Sequence, residues 1–326
     1  MEVDARELFT RYPGNPVLSA ADLPFIVNAV FNPGAVEFED QTLLLVRVED
    51  RTGLSDIMVA TSADGYDDWT VHRDRGLFRT GGFDDFWGVE DARITRLGDD
   101  YYVVYTGYSA NGPLVCLAVT RDFVTFERLG VVQPPEDKDA ALFPARFGGA
   151  YALLHRPAPA TPAVGAHVWL SWSPDLTHWG RSQVLLPARR GGWWDANKIG
   201  LGPPPLLTDE GWLLCYHGVR STVSGSIYRV GLALLDRDDP TRVLARGNEW
   251  VFGPQAAYER AGDVSDVVFP CGWILDDDGD TVRMYYGAAD MSVCVATASL
   301  AQLLEHLAEH PLSDGDDLDL SSPFGG

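Results

Sequence analysis

The sequence is short of basic residues and of long apolar runs. It contains 25 Lys and Arg against 47 Asp and Glu among 326 residues, which gives a net charge of −22. Nucleic acids and anionic membranes are bound by clustered Lys and Arg, so we expect neither as a partner. No run approaches the roughly 18 apolar residues of a membrane span, and the N-terminus lacks the features of a secretory peptide. We therefore expect a cytoplasmic protein.

Cysteine is scarce, and its placement excludes two kinds of stabilising site. The four cysteines stand in apolar, strand-like segments, and none has a Cys-x-x-Cys or Cys/His ligand spacing. Neither a zinc site nor a disulfide framework is indicated, so buried, reduced thiols are expected. The aspartates of residues 276–280 lack the spacing and the glutamate of an EF-hand loop. We expect no bound metal.

Helical patterns are also nearly absent. Short apolar or alternating runs bounded by Gly, Pro, Asp and Asn recur from about residue 25 to residue 298, which is typical of β-strands. Only residues 300–310 show apolar side chains at helical spacing. Because no other helices are available as crossovers for a parallel α/β sheet, the chain is expected to be all-β with a short C-terminal helix.

A turn of one form recurs along the strands. A small residue is followed two positions later by Asp64, Asp122 or Asp175, and an aromatic residue comes a few positions further on. Each copy lies between two strand-like runs, and a period of about 55 residues is typical of four-stranded propeller blades. About 280 residues of strand pattern then give roughly five blades. A pair of β-sandwiches, the alternative, does not explain the constant spacing.

The predicted domain organisation follows from this count. Residues 1–310 are expected to form a single five-bladed β-propeller, and residues 311–326 an acidic, flexible tail. The helical segment at 300–310 leaves two alternatives, a cap on the propeller or a subunit contact in a homo-oligomer.

The segment with the clearest chemistry runs from Gly88 to Ile94. Regular strand alternation would place Asp91 and Arg93 on one face and Glu90 on the other. A carboxylate beside an arginine on a concave surface is a candidate acid–base group, and a surface ion pair is the alternative. A propeller would add further polar clusters, one from each blade.

Longer strings of residues carry a family resemblance. They include Lys-Ile-Gly-x-Gly-x-Pro-Pro at 198–205, Gly-Trp-Leu-Leu-x-Tyr-His-Gly-Val at 211–219, Val-Val-Phe-Pro-Cys-Gly at 267–272 and Tyr-Tyr-Gly-Ala-Ala-Asp at 285–290. Together with the segments between residues 15 and 290, they resemble glycoside hydrolase family 130, the mannoside phosphorylases and β-mannosidases built on a five-bladed propeller.

The resemblance implies roles for individual residues. Asp91 falls on the proton donor of a Glu-Asp-Pro-Arg-like motif, in which Ala92 replaces the proline here. Arg93, in the same motif, would orient Asp91 or a sugar hydroxyl. The residues that match the family's ligands of the reacting mannose are Asn32, Arg47 and Asp290.

The resemblance also implies a phosphate site. The phosphorylase-type positions are Lys138, Arg156, Lys198, His217 and Tyr228. Such groups make charge-assisted hydrogen bonds to a dianion, which gives concentrated basic residues a use in an acidic protein. The alternative is that Lys138 and Lys198 pair with Asp137, Asp139 or Asp195. No cofactor is expected, and inorganic phosphate would be a co-substrate.

The resemblance therefore implies an inverting β-mannoside phosphorylase. Asp91 would protonate the glycosidic oxygen by way of a mannose hydroxyl, while phosphate attacks the opposite face of the sugar and yields α-mannose 1-phosphate. The strings FNPGA, RVEDR, DKDAALFP and HRP resemble the β-1,2-oligomannoside phosphorylases more than the β-1,4 group, which implies a β-1,2-linked substrate.

Three alternatives remain at this point. A β-1,4-mannooligosaccharide phosphorylase would use the same fold and the same residues. A β-1,2-mannosidase would need a second carboxylate to activate water, for which the sequence offers no clear candidate. A non-catalytic propeller would only bind a glycan or a protein.

Overall fold

The computed structural model describes residues 7–159 and 165–309. This part of the chain is almost all β, as predicted, with 22 strands and two α-helices, α1 (Ala257–Arg260) and α2 (Leu300–Ala308). The predicted C-terminal helix is therefore confirmed, whereas the predicted tail at 311–326 lies outside the described residues. None of the helices in the described ranges is long and apolar enough to cross a membrane.

The strands form successive antiparallel units, which we number 1 to 5. Two short strands, β1 (Thr10–Arg11) and β2 (Leu18–Ser19), precede unit 1. Units 1 and 2 consist of β3 (Ala29–Phe38), β4 (Gln41–Glu49), β5 (Ser55–Ser62), β6 (Thr70–Leu77), and β7 (Gly88–Leu97), β8 (Asp100–Ser109), β9 (Gly112–Thr120), β10 (Glu127–Gln133). Unit 3 consists of β11 (Asp137–Phe147), β12 (Ala150–Pro157), β13 (Val168–Ser173) and β14 (Gly180–Leu186). Unit 4 consists of β15 (Lys198–Leu201), β16 (Leu206–Leu207), β17 (Trp212–Thr222), β18 (Gly225–Leu235) and β19 (Val243–Arg246), and unit 5 of β20 (Val268–Leu275), β21 (Thr281–Ala288) and β22 (Ser292–Ser299).

Unit 5 is completed by strands from the start of the chain. Strand β1 pairs antiparallel with β22 through Thr10 opposite Thr297, and β2 pairs with the same strand through Leu18 opposite Val293. The two ends of the strand pattern thus meet in the sheet of unit 5.

Units 1 and 2 are joined by a single parallel pairing of Ser55 with Gly88, so that they form one eight-stranded sheet.

Each unit packs against the next through its own apolar cluster. Buried residues that belong to a shared cluster are Leu45 and Val103 (units 1 and 2), Leu117 and Leu142 (units 2 and 3), Leu154 and Leu214 (units 3 and 4), Leu232 and Met284 (units 4 and 5), and Tyr285 and Leu44 (units 5 and 1). Each fully buried side chain of this size contributes about 1.5–3 kcal/mol. The fifth unit therefore packs back onto the first.

The recurring turn joins the third and fourth strands of its unit. Asp64 Oδ1 accepts two backbone N–H groups of its own turn, and Asp122 Oδ1 and Asp175 Oδ1 do the same. Asp236 in unit 4 forms a fourth turn of this kind, although it lacks the small residue and the aromatic residue that reveal the others. In units 1 to 4 the turn lies at the end of the unit opposite to the start of its first strand.

Candidate active site

A β-bulge places one polar side chain in the first strand of units 1, 2 and 3. The bulged residues are Asn32, Asp91 and Asp139, and their φ angles are 46°, 54° and 52°. Left-handed backbone is uncommon for residues with a Cβ, and β-bulges are among the places where a fold uses it to re-aim a side chain. Because the three bulges lie at equivalent positions near the start of their strands, they bring these side chains to the same end of the molecule.

The bulge in β7 changes which residues share a face. Arg47 Nη2 lies 3.1 Å from Glu90 Oε1, and its Nη1 lies 3.4 Å from Asp91 Oδ1. Both carboxylates therefore contact one guanidinium, and the predicted placement of Glu90 on the opposite face from Asp91 is wrong. The extra residue between Glu90 and Arg93 interrupts the strand alternation on which that prediction depended.

Asp91 lies at the centre of a buried acidic cluster. Its side chain is almost fully buried, and Oδ1 accepts a hydrogen bond of 2.8 Å from Asn32 Nδ2. Burial and then the charge of Asp91 raise the pKa of Asp290 to about 6, and burial also raises the pKa of Glu90 despite the nearby Arg47. The structure therefore brings together the four residues predicted for proton donation and mannose binding.

Arg93 has a different environment from the other predicted site residues. Its Nε and Nη2 each donate a 2.8 Å hydrogen bond, to the carbonyls of Gly202 and Leu201, and its Nη1 donates to the carbonyl of Asp91 at 2.9 Å. Arg93 thereby ties the first strand of unit 2 to that of unit 4. These contacts hold the backbone at Asp91 in place.

A second cluster forms around Asp139. Arg156 donates to Asp139 Oδ2 from Nε at 3.1 Å and from Nη2 at 2.6 Å, and His217 Nε2 lies 3.3 Å from the same oxygen. Burial alone would raise the pKa of Asp139, but Arg156, His217 and Lys138 hold it well below its ordinary value. Burial lowers the pKa of His217 against the opposing charge of Asp139, which favours a neutral imidazole.

The chain has only two lysines, and both belong to this cluster. Burial and the neighbouring charge of Arg156 lower the pKa of Lys198 to about 8. Burial also disfavours the charged form of Lys138, but Asp139 and Asp91 outweigh it and raise its pKa. Lys138 therefore interacts with the acidic cluster as well as the basic one.

The alternative in which both lysines pair with aspartates is not what the structure shows. Within the described ranges, neither ammonium lies within 4.0 Å of a carboxylate oxygen. The three aspartates have other partners: Asp137 contacts His155, Asp139 contacts Arg156, and Asp195 contacts Arg189 and Arg246. The two ammonium groups therefore form no direct ion pair with these aspartates, although the charges of Asp139 and Asp91 act on Lys138 from a longer distance.

Tyr228 completes the set of predicted phosphate ligands. Lys198 Nζ lies 5.2 Å from the centre of its ring, and the His217 ring lies 5.9 Å away. Burial raises the pKa of Tyr228, so its hydroxyl keeps its proton as a donor. The five residues predicted to bind phosphate come from separate segments of the sequence, and the structure brings them together in the Asp139 cluster.

Gly200 shows how closely the first strand of unit 4 approaches this cluster. A Cβ at this position would lie 2.6 Å from Asp139 Oδ2 and 2.7 Å from the His217 ring. Only glycine leaves room for both side chains, which explains the first glycine of the Lys-Ile-Gly-x-Gly-x-Pro-Pro string.

Sequence reasoning missed Asp139 as the central carboxylate and Glu90 as a neighbour of Asp91. A signal for Asp139 was present, because it follows a polar residue near the start of a first strand, as Asp91 does. The bulge that makes these positions equivalent leaves no mark in the hydrophobic pattern.

The chain belongs to glycoside hydrolase family 130. The family profile described as beta-1,4-mannooligosaccharide phosphorylase matches residues 11–309, which is nearly the whole chain.

Similar proteins within this family include phosphorylases of two linkages. A beta-1,4-mannooligosaccharide phosphorylase from Ruminococcus albus is 30% identical over 94% of this chain and 93% of its own length. A beta-1,2-mannobiose phosphorylase from Listeria innocua is 33% identical over 91% of this chain and 98% of its own length. A solved structure of the beta-1,2-mannobiose phosphorylase from Listeria innocua, in complex with beta-1,2-mannobiose, superposes with a TM-score of 0.85 at 32% identity and covers 92% of this chain and 99% of that one.

Proposed function

We propose that this protein is an inverting β-mannoside phosphorylase built on a five-bladed β-propeller. Five antiparallel units in sequence, each packed on the next and the fifth on the first, support the ring arrangement. Unit 5 contains strands from both ends of the chain, which supports closure of the ring. The catalytic domain is proposed to span residues 1–310.

The charge of the Asp139 cluster is the observation that carries the proposal. Arg93, Arg156, Lys138 and Lys198 supply four cations around the single carboxylate of Asp139, and Lys138 also interacts with Asp91, so positive charge exceeds negative charge in this cluster. Inorganic phosphate as a dianion matches that excess, and charge-assisted hydrogen bonds would hold it. In a chain of net charge −22, such an excess has an evident use as an anion site.

The proposed reaction uses the two clusters on opposite faces of one mannosyl group. A phosphate oxygen attacks the anomeric carbon as the bond to the leaving oxygen breaks. Asp91 supplies the proton that the leaving oxygen takes up, by way of a mannose hydroxyl. Its Oδ1 is engaged by Asn32 and Arg47, which leaves Oδ2 as the oxygen for proton transfer. The products are α-mannose 1-phosphate and a shortened acceptor, and the reaction needs no cofactor.

We propose a β-1,2-linked oligomannoside as the donor substrate. The similarity to the beta-1,2-mannobiose phosphorylase of Listeria innocua supports this linkage, and the match to the beta-1,4 family profile makes the β-1,4 series the comparison to run beside it.

Product analysis tests the proposal. Purified protein is incubated with β-1,2-mannobiose, with and without inorganic phosphate, and mannose 1-phosphate is scored against free mannose. Phosphate-dependent mannose 1-phosphate is expected. Free mannose at the same rate without phosphate would show a hydrolase instead, and the β-1,4 series is assayed in the same way.

A further inference from the structure

The exposed apolar side chains are concentrated at one end of the molecule. Eleven large apolar residues are exposed in the described ranges. Eight of them lie either just before the first strand of a unit or at the hairpin between the second and third strands of a unit. In an antiparallel unit these positions share one end. It is the end at which the bulges place Asn32, Asp91 and Asp139.

The densest group consists of four aromatic residues, which we call the aromatic rim: Phe83, Phe86, Trp87 and Tyr108. Their exposed fractions are 71%, 61%, 38% and 38%. The Trp87 and Tyr108 rings meet edge to face at 5.4 Å, and the Trp87 backbone N–H donates to the Tyr108 carbonyl at 2.9 Å. Exposed aromatic side chains grouped in this way are typical of interaction sites.

The loop that carries the aromatic rim is held in place from beneath. Asp85 is fully buried and accepts hydrogen bonds from the backbone of Thr80 and Gly82 and from Arg128 Nη1, at 2.8, 2.9 and 2.7 Å. The carbonyl of Phe83 accepts from Ser109 Oγ at 2.6 Å. The aromatic rings are therefore presented by an ordered backbone, which lowers the entropy cost of binding.

The aromatic rim lies a short distance along the chain from Asp91. Trp87 immediately precedes β7, and Asp91 follows four residues later, so the extended backbone separates them by about 13 Å. Gly88, between them, pairs with Tyr108 across β7 and β8. An oligosaccharide that extends from Asp91 along this strand would therefore reach the aromatic rim.

We propose that the aromatic rim binds the acceptor part of the oligomannoside beyond the bond that is cleaved, and so selects substrates by length. This inference rests on the proposed function. Pyranose rings have apolar faces that stack on aromatic rings, and their hydroxyls suit side chains with polar tips, such as Trp87 and Tyr108. A ligand that is half apolar and half polar fits this surface.

Chain-length dependence tests the inference. Values of kcat/KM are measured for β-1,2-linked mannobiose, mannotriose and mannotetraose with wild type, Phe83→Ala and Phe86→Ala. Each variant is expected to lose about threefold to tenfold for the longer substrates, with little change for mannobiose. Val124→Ala, which removes an exposed apolar side chain at the opposite end, is the matched control and should match wild type.

The possible outcomes distinguish a failure of the aromatic-rim proposal from a failure of the proposed phosphorylase function. Equal losses for all three substrates would overturn length selection, as would no loss at all. If wild type turns over no mannoside, mannotetraose is titrated calorimetrically into wild type and Phe86→Ala. Binding that the variant weakens would support the rim even though the proposed function fails, whereas equal or absent binding would overturn it. A loss of sedimentation mass in the variants would assign the rim to a second copy of the chain and overturn it also.

Discussion

Lys198 gives the sharpest prediction about phosphate binding. Its pKa is lowered to about 8, because it is buried and lies near Arg156. At pH 7 it is about nine-tenths protonated and at pH 9 about one-tenth, since each pH unit past the pKa is tenfold. Raising the pH therefore removes a charge that we propose holds phosphate.

The expected magnitude follows from that charge. The KM for phosphate should rise about tenfold per pH unit above the pKa of Lys198. Lys198→Gln removes the cation at every pH, and the loss of a hydrogen bond to a charged group costs about 1.5–3 kcal/mol, or about 10- to 150-fold in KM at pH 7. The KM of this variant should be independent of pH over the same range.

The assay is the initial rate of mannose 1-phosphate formation at varied phosphate from about pH 8 to pH 10, where most of the phosphate is a dianion. Lys198→Arg keeps a charge that does not titrate in this range and should remove the pH dependence while preserving much of the affinity. Arg121→Gln removes one exposed cation at the opposite end and controls for net charge. A phosphate KM in wild type that is flat with pH, or unchanged in Lys198→Gln, would refute the assignment.

Three further predictions concern the same two clusters. Asp91→Asn should lower kcat by about 10²- to 10⁴-fold while mannobiose binding persists in calorimetry; comparable activity would remove Asp91 as the proton donor. Asp139→Asn should destabilise the fold by about 3 kcal/mol in denaturant titrations without phosphate, because it leaves Arg156 uncompensated, and phosphate should restore part of the loss; stability equal to wild type would show that the pair is not needed. An amine-acylating reagent at pH 8 should label Lys198 before Lys138, and phosphate should protect it, as peptide mass spectrometry can show; preferential labelling of Lys138 would contradict the two opposite pKa shifts.

The strands and the repeating turn could be predicted because they depend on local pattern. Apolar runs bounded by turn residues gave the strands, and the Asp64, Asp122 and Asp175 turns are closed by hydrogen bonds within a few residues. The fourth turn, at Asp236, forms the same bonds without the flanking residues, so its sequence carries too little signal.

The internal arrangement of the site could not be predicted, because it depends on distant contacts. Alternation places Glu90 away from Asp91, but the bulge brings both to Arg47. Arg93 bonds the carbonyl of Leu201, 108 residues away, and no local pattern indicates that partner. The family resemblance named the other residues, which the structure brings together in two clusters, but it did not reveal Asp139 at the centre of the basic one.

The anomeric configuration of the first product tests the central claim most directly. A single reaction with β-1,2-mannobiose and phosphate is followed by ³¹P and ¹H NMR before the products equilibrate. Attack by phosphate from the side opposite Asp91 predicts α-mannose 1-phosphate. Formation of the β-anomer, or of free mannose with no phosphate ester, would contradict the proposed placement of phosphate and acid on opposite faces of the sugar.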